Sequence, residues 1–297
     1  MKTDLPKVSV VIPCFNHEEF IEQAIISVLE QTYSNIELIV IDDGSSDSSP
    51  DLIRKLSQKH GFIFIAQKNM GLSNTLNKAL LLSTGKYFST CSSDDYLSFN
   101  KINKQVSFLE LNQEYKLCFT KATIVNEYSD ICELETLSFN KNLKEGNVFE
   151  DILTFDFHPP VSFMYERQVL LNVGAYEANC FAEDYFINLK LSKDYLFGFI
   201  PEELYFYRME LSASLKNRTR PPIKIEASES HYQTLSYYKY EKAYPRAMIN
   251  WNFRRFVFFC AFKKYKLYAF KGMINSLPRF FEVKYFKSVL ILLLSWK

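Results

Sequence analysis

The amino-acid sequence predicts an α/β protein with a doubly wound, mostly parallel β-sheet and a helical C-terminal extension. Short apolar runs alternate with amphipathic patterns through the first hundred residues, an order typical of parallel strands joined by crossover helices. Right-handed crossovers place such helices on both faces of the sheet. Beyond about residue 228 the pattern becomes helical, aromatic and basic, which predicts the extension.

Four short apolar runs indicate the strands of the first half. Each is rich in β-branched or aromatic residues and shows little alternation, as expected of strands covered on both faces. The first run ends at Pro13, where a polar loop begins. The predicted strands are residues 8–12, 36–41, 62–66 and 87–91.

Three amphipathic stretches separate these strands and predict crossover helices. Residues 18–31 carry a helical stripe of apolar side chains. Ser49 and Pro50 favour the start of the second helix, and Gly61 favours its end. The third helix is expected over residues 72–82.

The second half is less regular. It predicts helices at 99–111 and 183–191, strands at 116–120, 162–165, 197–200 and 204–207, and loops at 126–147 and 216–222. We therefore expect a domain over 1–225, with halves at 1–100 and 101–225, and a basic helical region over 226–297.

Composition narrows the class of protein. The 297 residues are 47% hydrophobic, which suits one large domain with an appendage. The six cysteines lack metal-type spacing and favour a reducing compartment. We expect neither a secretory signal nor a membrane span, because no apolar stretch reaches roughly 18 residues. These features predict a cytoplasmic protein.

A net charge of +1 conceals an asymmetry along the chain. Residues 240–297 hold twelve Lys or Arg against two acids, with many aromatic residues between them. This pattern predicts a peripheral attachment to the anionic inner face of the cell membrane. Packing onto the α/β domain is the alternative. Nucleic-acid binding through the tail has no other support, so we expect no nucleic-acid partner.

Acidic pairs follow two of the predicted strands, where ligands bind in open α/β sheets. Asp42 and Asp43 can accept hydrogen bonds from a base or a ribose, or they can simply shape a capped turn. Asp94 and Asp95 offer oxygen ligands to Mg²⁺ or Mn²⁺, which can hold a diphosphate. A solvated turn is the alternative for the second pair.

Five segments occur in an order that resembles a known family. They are VSVVIPCFN at 8–16, IDDGSSD at 41–47, NMG at 69–71, DD at 94–95 and ED at 183–184. Together they resemble the family-two inverting glycosyltransferases with the GT-A fold, of the bacterial surface-polysaccharide type. The resemblance implies transfer of a sugar from a nucleotide-sugar donor, UDP-linked, to a hydroxyl of a glycan or lipid-linked glycan. It also implies that 1–100 binds the nucleotide and 101–225 the acceptor.

The resemblance also implies individual roles. Donor contacts are implied for Pro13, Phe15, Glu18, Asp42, Asp43, Asn69, Gly71, Ser93, Asp94 and Arg208. Mn²⁺ or Mg²⁺ is implied at Asp94 and Asp95. Asp184 is the expected catalytic base and Glu183 the second choice, although acids in a first helical turn also stabilise the helix itself.

Three positions depart from the family pattern. Ser92 replaces the first acid of the usual Asp-x-Asp-Asp, so metal binding rests on the following acids and the diphosphate. Leu76 replaces a frequent Arg, and no His follows Tyr207-Arg208. Candidates to stabilise the leaving diphosphate are Arg208, Lys216, Arg218 and Arg220. A non-catalytic glycan- or nucleotide-binding relative is the rival interpretation, which donor turnover would distinguish.

Overall fold

An eight-stranded sheet organises the first two hundred residues in the computed structural model, which describes residues 5–209 and 221–294. The strands are β1 (Val8–Cys14), β2 (Ile36–Asp42), β3 (Ile63–Ala66), β4 (Tyr87–Thr90), β5 (Tyr96–Leu97), β6 (Tyr115–Val125), β7 (Met164–Glu166) and β8 (Leu196–Arg208). Their spatial order is β3-β2-β1-β4-β7-β6-β8-β5.

Most strands of this sheet share one direction. β3, β2, β1 and β4 are parallel neighbours, and β6 is parallel to β8. β7 is antiparallel to both of its neighbours, and β5 is antiparallel to β8. Val8, Val10 and Ile12 of β1 are completely buried, because the central strand is covered on both faces. The predicted mostly parallel α/β sheet is confirmed.

Helices connect the strands much as the sequence predicts. They are α1 (Ile21–Leu29), α2 (Ser49–His60), α3 (Leu72–Leu82), α4 (Lys101–Leu111), α5 (Glu133–Phe139), α6 (Phe149–Leu153), α7 (Arg167–Asn172) and α8 (Glu183–Asp194). Pro50 lies in the first turn of α2, where its missing N–H costs nothing. Gly61 ends α2 with a φ of +77°, a conformation that favours glycine.

Two predictions for the second half were wrong. The predicted loop at 126–147 contains α5, whose Leu134 and Leu137 are exposed and therefore give no core-facing stripe. The predicted strands at 197–200 and 204–207 are one strand, β8. Its pairing with β6 shifts register beyond Ile200, so Pro201 is accommodated at an irregularity.

The chain divides into two units. The first comprises Met1–Val148 and Pro159–Leu211, and the second comprises Phe149–His158 and Ser212–Lys297. The predicted boundary at residue 225 falls inside a continuous helix, α9 (Pro221–Ser236). The division therefore lies earlier in the chain, and α6 belongs to the second unit.

The second unit is helical, as predicted for the C-terminal region. After α9 come α10 (Tyr244–Phe259), α11 (Lys266–Asn275) and α12 (Val283–Leu294). Phe256, Phe259 and Tyr285 belong to its own buried cluster. A Cβ on Gly272 would lie 2.7 Å from the Asn252 carbonyl oxygen, so glycine permits α11 to approach α10 closely. Among the described residues, no helix has both the length and the apolarity needed to cross a bilayer.

Candidate active site

The loops that follow β1 and β2 meet at the carboxyl edge of the sheet, as expected for parallel strands. The amide of Asp43 donates to the carbonyl of Cys14 at 2.8 Å, and the amide of Gln67 donates to the carbonyl of Asp42 at 3.0 Å. Cys91, just beyond β4, donates to the carbonyl of Val11 at 2.9 Å. The strand-end segments predicted to hold the donor are therefore neighbours.

Asp42 is a buried carboxylate with an incomplete set of partners. Its side chain is 2% exposed, and Oδ2 accepts from the amides of Gly44 and Ser45 at 3.2 and 3.1 Å. Among the described residues, Oδ1 has no hydrogen-bond partner although it is buried. Because a buried unpaired oxygen is costly, this atom is the position where an N–H or O–H of a ligand would be most favourable.

Asp43 fixes the turn after β3. Its Oδ1 accepts from the Met70 amide and the Gln67 side chain, both at 2.8 Å, and its Oδ2 accepts from the Gly71 amide at 2.9 Å. Gly44 lies so close that a Cβ there would be 2.7 Å from the Asn69 amide nitrogen. Asp43 therefore shapes the turn carrying Asn69 and Gly71, and both its oxygens are committed to the protein.

The first loop is tied to the start of α2. Two carboxylates connect these segments. Glu18 accepts a hydrogen bond from the Ser48 amide at 2.7 Å, and Asp47 accepts one from the Glu18 amide at 3.0 Å. His17 Nδ1 lies 2.7 Å from the Ser93 hydroxyl. Phe15 is 46% exposed and Pro13 lies beside it at the strand end. The loop is thus held in place, with the Phe15 ring accessible to a ligand.

Asp95, predicted to bind metal, is held by the protein instead. It is 2% exposed, its Oδ2 accepts from the Tyr205 hydroxyl at 2.8 Å, and its Oδ1 accepts from the Arg208 amide at 2.8 Å. Burial, and then the neighbouring Asp94 charge, raise the pKa of Asp95. Both oxygens of Asp95 therefore connect the strand-end turn to β8, and the metal contact predicted for Asp95 stays a prediction.

Arg208, predicted to contact the donor, is also engaged within the protein. It is 2% exposed, and its Nε donates to the Asp94 carbonyl at 2.8 Å. Its terminal nitrogens donate to the carbonyls of Asn126 and Glu127 and to the side chains of Ser129 and Gln23. A guanidinium has five N–H groups, and these partners account for them. These contacts therefore connect Arg208 to the turn that carries Asp94, and its predicted donor contact stays a prediction.

Glu183 and Asp184 begin α8. Asp184 Oδ1 accepts from the Tyr185 amide at 2.7 Å. Burial, and then the Asp184 charge, raise the pKa of Glu183 to about 7. The loop before α8 is fixed to α3: Asn77 donates to the Tyr176 carbonyl at 2.8 Å and accepts from its amide at 2.9 Å. The candidate base is thus connected to the helix that starts directly after Gly71.

The described residues contain no group of three or more His, Cys, Asp or Glu that could hold a metal alone. Asp94, the other predicted metal ligand at this edge, is half-buried. One carboxylate still suits Mg²⁺ or Mn²⁺, because such ions are commonly bound by one or two carboxylates together with substrate phosphates. The chemistry therefore fits a metal that arrives with a diphosphate.

Several residues of the site were missed from the sequence. Tyr205 and Gln23 look like ordinary strand and helix residues, yet they hold Asp95 and Arg208. The only sequence signal for Tyr205 was a hydroxyl within a buried apolar run, which generally requires a partner. Lys216, Arg218 and Arg220 lie outside the described residues.

Comparison with known proteins agrees with this geometry. The family model for glycosyl transferase family 2 matches residues 9–173, more than half of the chain. An uncharacterised glycosyltransferase of Haemophilus influenzae is 28% identical over 222 residues, 69% of this chain and 66% of that protein. One of Methanocaldococcus jannaschii is 26% identical over 254 residues, covering 84% of this chain and 85% of that protein. Three further glycosyltransferases match over a smaller part of their own length, between 21% and 60%.

Solved structures share the fold at low identity. Staphylococcus aureus TarS 1–349 in complex with UDP-GlcNAc has a TM-score of 0.56 at 15% identity, over 92% of this chain and 89% of that one. The mannosyltransferase PcManGT of Pyrobaculum calidifontis, in complex with GDP-Man and Mn²⁺, has a TM-score of 0.56 at 16% identity, over 93% and 87%. The fold is GT-A, and the chain belongs to glycosyl transferase family 2.

Proposed function

We propose that this chain is an inverting glycosyltransferase that moves a hexosyl or N-acetylhexosaminyl group from a UDP-sugar to a hydroxyl of a glycan or lipid-linked glycan. Its acceptor is an intermediate of bacterial surface-polysaccharide synthesis. The observation that carries the donor assignment is the buried, unpaired Oδ1 of Asp42 at the carboxyl edge of the sheet. TarS binds UDP-GlcNAc and PcManGT binds GDP-Man, which supports a nucleotide-sugar donor here.

The nucleoside contact follows from the chemistry of that atom. A uracil ring presents one N–H and a ribose presents hydroxyls, and either can donate to a carboxylate. Such a charge-assisted bond is stronger than a neutral one and forms in a site from which water is excluded. Asp43 orders the Asn69–Gly71 turn beside it, and Phe15 offers an aromatic surface to the base.

Asp42→Asn is expected to weaken UDP binding by about 1–3 kcal/mol, because one carboxylate oxygen becomes an N–H₂ group, which cannot accept a hydrogen bond from the nucleoside. The variant keeps the shape of the side chain and one oxygen for the amides of Gly44 and Ser45. Isothermal titration calorimetry with UDP measures the effect. Asp51→Ala, which removes an exposed acid paired with Arg54, is the control and should bind UDP normally. If Asp42→Asn bound UDP with unchanged affinity, Asp42 would not be a nucleoside contact.

The transfer itself needs a base and a stabilised leaving group. In a one-step displacement the acceptor oxygen bonds to the anomeric carbon, the bond to UDP breaks, and the acceptor proton passes to a carboxylate. We assign that proton to Asp184, with Glu183 second. A metal bound at Asp94 would supply Lewis-acid stabilisation of the diphosphate.

Removal of divalent metal is expected to abolish transfer, and added Mn²⁺ is expected to restore it. The reason is that Asp94 contributes only one carboxylate, so the metal site is complete only when the diphosphate of the donor is bound as well. Transfer is measured in excess EDTA and again after titration with Mn²⁺. An Asp94→Asn variant should need more Mn²⁺ for half-maximal rate. Full activity in EDTA would show a metal-independent enzyme.

A catalytically inactive, nucleotide-binding relative is the second candidate. It is favoured by Ser92, which replaces an acid, and by the commitment of Asp95 to Tyr205 and Arg208. A panel of nucleotide sugars, scored both by thermal shift and by donor hydrolysis, separates the two. Binding without any turnover across the panel would favour the inactive relative.

We also assign the C-terminal region to the inner face of the cell membrane. The proposal is supported by exposed apolar residues beside basic ones: Phe281 and Leu293 are 80% and 63% exposed, and Lys284 and Lys287 are exposed nearby. Removing the whole of α12 is a poor test, because Tyr285 belongs to the buried cluster of the second unit. Point substitutions of exposed residues avoid that problem.

Phe281→Ser combined with Leu293→Ser is expected to reduce pelleting with anionic vesicles at least severalfold, because each exposed apolar side chain that enters the interface contributes on the order of 1.5–3 kcal/mol when fully buried. Added salt should weaken pelleting of the unmodified protein. Leu134→Ser, at an exposed position of α5, is the control. Equal pelleting of all three proteins would favour the packing alternative.

A further inference from the structure

The second unit contains a cavity of about 620 Å³ whose lining includes none of the residues assigned to donor binding or transfer. Its walls come from residues 154–156, from α9 and α10, and from two basic residues further along the chain. The volume falls within the range of small-molecule sites, roughly 300–1,000 Å³. All of its lining residues belong to the second unit.

The charge of the lining is strongly positive. Five Lys or Arg line the cavity with one carboxylate, that of Asp156, which is itself bonded to Arg246. Two acids outside the lining offset part of this charge: Glu282 pairs with Arg279, and Glu229 lies close enough to Arg255 to interact with its charge. Several of these cations rest on aromatic rings: Arg254 is 4.9 Å from the ring centre of Phe155, and Arg255 is 4.3 Å from that of Trp251. An aromatic face holds a cation without neutralising its charge. The cavity therefore attracts anions.

Two polar atoms of the lining residues are buried and have no hydrogen-bond partner in the part of the chain that the structure describes. They are Nε of Arg255 and Oγ of Ser228. The two residues are close, because Trp251, on which Arg255 stacks, donates from Nε1 to the Ser228 carbonyl at 2.9 Å. Both atoms can donate a hydrogen, so each would gain a partner from an oxyanion within its reach.

We propose that this cavity is a binding site for a phosphate-bearing ligand, whose oxygens accept from Arg255 and Ser228 and whose remaining part contacts the Trp251 and Phe155 rings. Phosphate is favoured over a carboxylate because the lining keeps an excess of cations even with Arg279 paired to Glu282, and a phosphate or diphosphate carries the larger charge. The ligand can be a free phosphate ester or the headgroup of an anionic lipid, which present the same chemistry.

Inorganic pyrophosphate in EDTA is the first probe, since the donor site lacks its metal under those conditions. Binding is measured by calorimetry and located by hydrogen exchange. We expect slower exchange in α9 and α10, and a loss of affinity of about tenfold in Arg255→Gln. Lys284→Gln, at an exposed position of the lining, should lose roughly twofold to fivefold. Lys239→Gln is the matched control, because Lys239 is exposed in the same unit but does not line the cavity.

Vesicles of phosphatidylcholine with and without phosphatidic acid are the second probe and distinguish the two sources. Weaker vesicle binding in Arg255→Gln, but not in Lys239→Gln or Lys287→Gln, would assign the site to a lipid headgroup even if free pyrophosphate binds poorly, because Lys287 is exposed on the proposed membrane surface but does not line the cavity. Pyrophosphate binding without a vesicle effect would assign it to a soluble phosphate ester. If Arg255→Gln does not fold, the pyrophosphate affinity of Lys284→Gln decides. The proposal would be overturned if Lys284→Gln and a folded Arg255→Gln both bound the two probes as the unmodified protein does. Slower hydrogen exchange confined to the first unit would overturn it as well.

Discussion

Asp184→Asn is expected to slow sugar transfer by roughly 10²–10⁴-fold and to leave UDP affinity nearly unchanged. The substitution keeps the size of the side chain and removes its basicity. An acceptor hydroxyl is a poor nucleophile until a carboxylate takes its proton during the attack, so the loss falls on the chemical step. Initial rates at saturating donor, together with calorimetric UDP binding, measure the two quantities separately.

The alternative for Asp184 is a purely structural role at the start of α8. Its Oδ1 already accepts from the Tyr185 amide, and a negative charge there favours the helix N-terminus. That role predicts a stability loss of about 1 kcal/mol at most and an unchanged rate. Glu183→Gln is the matched variant. If it alone stops transfer, Glu183 is the base, and if both variants transfer normally, this site does not perform the chemistry.

The pH dependence gives a separate test of the same pair. Burial and then the Asp184 charge raise the pKa of Glu183 from its ordinary 4.5 to about 7. Because the folded-state pKa is the higher one, protonated Glu183 favours the folded state below about pH 4.5, and that contribution is lost as the pH rises through about 7. The two carboxyls titrate as a pair. Glu183→Gln removes the like charge, so the acid limb of the rate profile should move to lower pH.

The strand-end position of Asp42 was predictable from the sequence, because it depends on a local pattern. A β-branched run ending in two acids places Asp42 at the carboxyl edge of any parallel sheet, and the structure pairs Asp42 with Cys14 there. The Gly61 helix end and the Pro50 helix start are local in the same sense. Each of these predictions requires only neighbouring residues, and each was confirmed.

The commitments of Asp95 and Arg208 were not predictable, because their partners are distant in sequence. Tyr205 is 110 residues from Asp95, and Gln23 is 185 residues from Arg208. An acid pair at a strand tip looks the same whether its oxygens face a metal or a buried tyrosine. The pairing of β5 with β8 decides between these two cases, because it brings Asp95 next to Tyr205.

Arg208→Gln is expected to lower the free energy of unfolding by about 3–5 kcal/mol, because it leaves several buried acceptors unpaired at about 1–3 kcal/mol each. The carbonyl of Asp94 and the side chains of Gln23 and Ser129 all lose donors. The ring of Phe20, 4.6 Å from the guanidinium, loses its cation as well. Urea unfolding followed by circular dichroism gives the difference.

Arg54→Gln is the control for this loss. Arg54 pairs with Asp51 at the surface, with both side chains at least half exposed, and such pairs contribute about 1 kcal/mol at most. If Arg208→Gln is too unstable to purify, Ser129→Ala removes one hydroxyl that accepts from both terminal nitrogens. It should cost about 1–2 kcal/mol, since hydrogen bonds to charged groups are worth more than neutral ones.

The same residue should also affect donor binding, but only through Asp94. Nε of Arg208 donates to the Asp94 carbonyl, so the turn that presents Asp94 loses this side-chain contact when the guanidinium is removed, whereas the backbone amide of residue 208 still holds Asp95. Ser129→Ala is therefore expected to raise the Mn²⁺ concentration needed for half-maximal transfer while leaving metal-free UDP affinity unchanged. A direct contact between Arg208 and the diphosphate predicts the opposite: a stable Arg208→Gln protein that binds UDP weakly even without metal. Stability and metal-free UDP affinity measured on one preparation decide between a positioning residue and a donor-binding one.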